Sequence, residues 1–82
     1  MRALTEAPAM ARWFRVKLNL ELLIAHLARE EARSISKEYA LRWLADAGFS
    51  RVEDDVWDVC EPDLGQLDPS EVTAMNPINE PA

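Results

Sequence analysis

A small α+β domain of order β-α-α-β-β is what three features of this sequence predict. Residues 12–18 alternate apolar and charged, 20–33 and 37–47 carry capped helical periods, and two short β-rich runs flank an acidic turn at 53–55. Two helices packed on a short antiparallel sheet satisfy all three. Eighty-two residues make a single domain, with little stability to spare at that size. An apolar fraction of 49 % with 29 % charged residues is that of a globular chain and excludes a disordered one.

In Arg12-Trp13-Phe14-Arg15-Val16-Lys17-Leu18, Phe14, Val16 and Leu18 fall on one face and Trp13, Arg15 and Lys17 on the other, the period of a half-buried strand. Asn19 is the expected cap of a first helix, with Leu20, Leu23, Ile24, Leu27 and Ala28 inward and Glu21, Leu22, Ala25, Arg29 and Ala32 outward. Ser36 caps a second helix from Lys37 to Ala47, and Gly48 is its expected stop.

Phe49 to Val52 and Val56 to Cys60 read as a hairpin around Glu53-Asp54-Asp55. A three-residue loop pairs Val52 with Val56 and Arg51 with Trp57, and it places Phe49, Trp57 and Val59 on one face; a two-residue loop is the alternative register. Pro62 is expected to stop the second hairpin strand. Asp68-Pro69-Ser70-Glu71, with a cap, a Pro and a Glu at the third position, predicts one helical turn. Residues 1–11 are expected to form a flexible leader, 12–75 one compact domain, and 76–82, with two prolines and no apolar period, a frayed tail.

The element order over residues 12–60 resembles a winged helix-turn-helix whose usual first helix is missing or reduced to the leader. The resemblance is one of order alone, with no family motif, and it implies DNA binding through the second helix. The residues oppose that function. The outer arc of the second helix is Glu38, Arg42 and Asp46, and the tip of the would-be wing is Glu53-Asp54-Asp55, where phosphate contacts need Lys or Arg. Arg12, Arg15, Lys17 and Arg42 are the residues left for a nucleic-acid role, as a dimeric DNA-binding regulator. For the first three, a solvated strand face is the plainer reading.

No cofactor or metal is expected. The one His and one Cys do not make a zinc set, and the acids do not follow a calcium-loop pattern. His26 reads as a surface partner of Glu30, four residues on. Cys60 stands between Asp58 and Glu61, a setting that a thiolate nucleophile avoids. The only glycines are Gly48 and Gly65, so there is no phosphate loop, and no catalytic set stands out. The chain is therefore read as non-catalytic. A single cysteine fits a reducing cytoplasm, and no apolar run approaches a membrane span.

What remains is interaction. Residues 1–49 balance at +2, whereas 50–82 carry nine acids and one Arg. The expectation is a small acidic protein-interaction or regulatory module that binds a protein partner or a second copy of itself. Trp13, Leu22, Tyr39 and Trp43 are the candidate partner-binding residues, against the alternative that Tyr39 and Trp43 close the domain edge and the leader covers Trp13. Glu53, Asp54, Asp55, Asp58, Glu61 and Asp63 form a candidate acidic surface, against the plainer reading of a solubilising one. A mimic of nucleic acid is a minor alternative, opposed by the basic residues at 12–17.

Overall fold

The computed structural model of the chain describes residues 12–79. The expected leader at 1–11 and the last three residues of the expected tail lie outside the described residues. Within them the chain is a small α+β domain of three helices and a four-stranded antiparallel sheet: β1 (Trp13–Leu18), α1 (Leu20–Glu31), α2 (Lys37–Asp46), β2 (Ser50–Arg51), β3 (Val56–Cys60), α3 (Glu61–Leu64), a 3-10 turn (Pro69–Glu71) and β4 (Val72–Ile78).

The helices begin and end for local reasons. Asn19 Oδ1 accepts from the Leu22 amide at 3.1 Å, and Ser36 Oγ accepts from the Tyr39 amide at 3.1 Å. Each cap satisfies an amide that the helix itself leaves orphaned. Gly48 ends α2 with φ +100°. There the Phe49 amide reaches back to Leu44 O at 3.0 Å and the Gly48 amide to Ala45 O at 3.2 Å. This crossed pair is a Schellman closure, and buried Phe49 and Leu44 supply its apolar contact.

The sheet order is β2-β3-β1-β4. β1 pairs with the hairpin as expected, with Phe14 opposite Val59 and Val16 opposite Trp57. The hairpin takes the three-residue loop: Arg51 lies opposite Trp57, and the Val52 amide donates to Val56 O at 2.9 Å. The Trp57 indole N–H closes this turn on Asp54 O at 2.8 Å. Phe14, Val16, Leu18, Phe49, Trp57 and Val59 meet Leu23, Leu27, Ala40 and Leu44 in one core. Leu22, expected outward, is 43 % exposed.

Two elements differ from expectation. Pro62 does end the strand region, but it does so within the first turn of α3, where its missing N–H is not needed. The larger difference is β4. Asn76–Ile78 were expected in a frayed tail, and they pair instead with β1, Trp13 opposite Ile78 and Arg15 opposite Asn76. The sheet therefore has four strands, with β1 inside it. A bulge between Lys17 and Leu18 on the partner strand lets Thr73 Oγ1 donate to Lys17 O at 3.1 Å. The Asp68–Glu71 turn is formed as expected, the Asp68 amide donating to Glu71 Oε1 at 3.0 Å.

Candidate functional site

β4 ends the sheet among the described residues, and the direction of its backbone groups follows from its neighbour. In an antiparallel strand, successive residues turn their N–H and C=O to opposite sides. On β1 the even-numbered residues face β3: the Leu18 amide donates to Asp55 O at 2.8 Å, and Arg12 O accepts from the Glu61 amide at 2.8 Å. The odd-numbered residues of β1 therefore face β4, where their partners are Ala74, Asn76 and Ile78. It follows that Met75 and Pro77 turn their backbone groups away from the sheet. Pro77 has no N–H to offer the ladder, and it sits where none is required.

The side chain of Met75 lies opposite Val16, on the helix-covered face of the sheet, yet it is 49 % exposed. The helices cover β1 and β3 and leave β4 open. Beside it runs a groove of about 500 Å³, lined by Leu64, Leu67, Val72 and Met75, with the exposed Glu61 at its margin. An outward-facing N–H and C=O beside an apolar groove is the arrangement that accepts an added strand.

The four residues expected to bind a partner do not form one patch. Trp13 lies on the sheet face opposite the core, between Cys60 and Ile78. Leu22 shares a flank of α1 with His26, and it is half a turn out of phase with Glu31 at about 100° per residue. Glu31 is the residue that meets Tyr39: the phenol donates to its Oε2 at 2.7 Å, and the Arg33 guanidinium lies 4.7 Å from the ring centre. The hydrogen bond to Glu31, and then burial, push the Tyr39 hydroxyl above the usual phenol range. Glu31 likewise raises Arg33. Trp43 packs against the core cluster as a half-buried residue. Tyr39 and Trp43 thus serve contacts within the domain.

The acidic residues separate as well. Asp58, expected on the surface, is fully buried. The β1–β3 register sets it opposite Arg15, whose Nε and NH2 donate to its two oxygens at 2.8 and 3.0 Å. That bond raises Arg15 further above its already high range and explains why a carboxylate is tolerated there. Asp54 binds Lys37 at 2.9 Å and also pairs with Arg51. Lys37 first, and Arg51 after it, hold its carboxyl below the usual range. Glu53 and Glu61 are exposed, and Asp55 and Asp63 are half-buried.

The basic residues do not converge either. Arg15 is engaged by Asp58, and the Arg12 guanidinium lies 5.4 Å from the centre of the Phe14 ring. Lys17 is exposed on the outer sheet face, whereas Arg42 is exposed on α2, which packs on the other face.

His26 is more than a surface partner of Glu30. Its Nε2 lies 3.7 Å from Glu30 Oε2, but its side chain is only 14 % exposed and its Nδ1 is 2.7 Å from Glu71 Oε2. Asp68 Oδ2 is 3.9 Å from the same nitrogen. His26, Asp68 and Glu71 are the described residues whose donor atoms lie close enough together to hold a metal ion.

No family model, curated protein or solved structure matches this chain. Among the described residues, no helix is long and apolar enough to cross a membrane.

Proposed function

We propose that this chain is a small acidic interaction module, without catalytic activity, that takes an extended peptide segment of a protein partner as an additional strand on β4. The observation that carries this reading is the open edge: Met75 half exposed over an apolar groove, with its N–H and C=O turned outward. Main-chain bonds supply affinity in this mode, and pockets for alternate side chains supply selectivity. The segment fitted to this site is extended, apolar at alternate positions and basic at its flanks. Residues 50–82 carry nine acids against one Arg, and Glu61 borders the groove. A winged-helix-like arrangement is our reading of the element order, and a reducing cytoplasm our reading of the single cysteine.

The DNA-binding reading has weaker support. Lys37 and Arg51, two basic residues beside the hairpin tip, are already engaged by Asp54.

The test is a titration of the isotope-labelled domain with a lysine-flanked peptide of alternating valine and threonine, followed by amide shifts. Shifts concentrated at residues 72–78 and at Leu64 and Leu67 are expected. Met75→Pro removes the outward N–H and leaves the bonds to β1 in place, so it should weaken binding at least about tenfold and leave the fold intact. Equal binding by the wild type and Met75→Pro would refute the reading.

A further inference from the structure

One imidazole and three carboxylates meet where α1 packs on the 3-10 turn. His26 Nδ1 is 2.7 Å from Glu71 Oε2 and 3.9 Å from Asp68 Oδ2, and the donor atoms of these three residues lie within 4.8 Å of one another. Two ligands of one tetrahedral zinc ion, each at about 2.0–2.2 Å, stand roughly 3.3–3.6 Å apart. The observed spacings bracket that range, so the three donors stand near the separations that one ion requires.

The surroundings are those of a metal site as well. Glu71 is 2 % exposed, and one of its oxygens is held by the Asp68 amide at 3.0 Å, which leaves the other aimed at the imidazole. A metal on Nδ1 places the ring proton on Nε2, and Glu30 Oε2 lies 3.7 Å from that nitrogen. A carboxylate behind the second ring nitrogen is the common orienting partner of a metal-bound histidine. Charge points the same way. Even a protonated ring offers one positive charge against Glu30, Asp68 and Glu71, and no Lys or Arg among the described residues pairs with any of the three. Asp68 is 57 % exposed, so the cluster opens to water, which supplies a fourth ligand.

We propose that His26, Asp68 and Glu71 form a binding site for one divalent cation of the zinc class, completed by water. One nitrogen and two oxygens suit such an ion better than calcium, which takes oxygen ligands alone. The bound ion ties α1 to the turn that leads into β4. The proposal stands apart from peptide binding and rests on different residues.

The experiment uses the untagged full chain, freed of metal with a chelator and titrated with Co2+ by visible absorption, then with Zn2+ against a chromophoric chelator. Saturation at one equivalent is expected, with Zn2+ raising the thermal midpoint. His26→Gln and Asp68→Asn should each lose at least about tenfold in affinity. Asp68→Asn keeps a capping residue at that position, so its fold is retained. Cys60→Ser should bind as the wild type does. Absence of saturable binding, wild-type affinity in both His26→Gln and Asp68→Asn, or loss of binding in Cys60→Ser overturns the proposal.

Discussion

The two edges of this sheet are built in opposite ways. β2 is two residues long, and its hairpin tip carries Glu53, Asp54 and Asp55, with Asp54 bound to Lys37 and Arg51. β4 is seven residues long, Val72 to Ile78, and holds no charged side chain. Short, charged edges are how proteins prevent unwanted strand pairing, and the β2 edge follows that rule. The β4 edge follows it only through Pro77, near its end. The β2 edge is closed and the β4 edge is open. Among the described residues the helices cover the β3 side and leave the β4 side uncovered, and that is the edge to which we propose a strand is added.

The largest effect that would break this comparison concerns packing. Trp57 on β3 is 1 % exposed, and Trp57→Ala should cost about 3–5 kcal/mol in urea unfolding. Met75→Ala, on the same sheet face, should cost no more than about 0.5–1 kcal/mol. Similar costs at the two positions would mean that β4 is covered after all.

The next effect lies at the turn leading into the closed edge. Gly48 has φ +100°, and a Cβ there would stand 2.5 Å from Asp63 Oδ2. Gly48→Ala should destabilise by about 1–2 kcal/mol, read from the thermal midpoint.

The smallest effect is electrostatic. Asp54 has its carboxyl held below the usual range by Lys37 and then Arg51. A carboxyl depressed in the folded state stabilises the fold above its unfolded value of about 3.9, and that stabilisation is lost as pH falls through the folded value. Asp54→Asn should therefore lower stability slightly at neutral pH, match the wild type once the wild-type carboxyl is protonated, and so flatten the acid limb below about pH 4. The measurement is the urea midpoint on either side of that pH. An unchanged acid limb would show that the tip is held by other means.

Much of the fold was legible because its signals are local. Asn19, Ser36 and Gly48 act on amides and carbonyls within a few residues, and the alternation of Phe14, Val16 and Leu18 needs only β geometry. β4 was not legible, because Thr73-Ala74-Met75-Asn76-Pro77 has no apolar period and a proline that reads as a breaker. What makes it a strand is β1 lying alongside, and Pro77 is tolerated because its nitrogen faces away from the ladder. Asp58 was misplaced for a similar reason: its burial depends on Arg15, 43 residues away, standing opposite it. The register could have been found by aligning the inward positions of β1 with those of β3, which sets these two residues together. His26 and Glu71 are 45 residues apart, and no local spacing joins them. The candidate site was thus the least legible part, since its edge, its groove and its cation cluster all arise from pairing between distant segments.

The most direct test of the open edge is amide hydrogen exchange along β4, residue by residue. In the free domain Ala74 and Asn76 should be protected by their bonds to β1, and Met75 between them should exchange fast. With the lysine-flanked peptide bound, Met75 should slow by at least about tenfold. A Met75 amide already protected in the free domain, or one that the peptide leaves unchanged, would contradict the account.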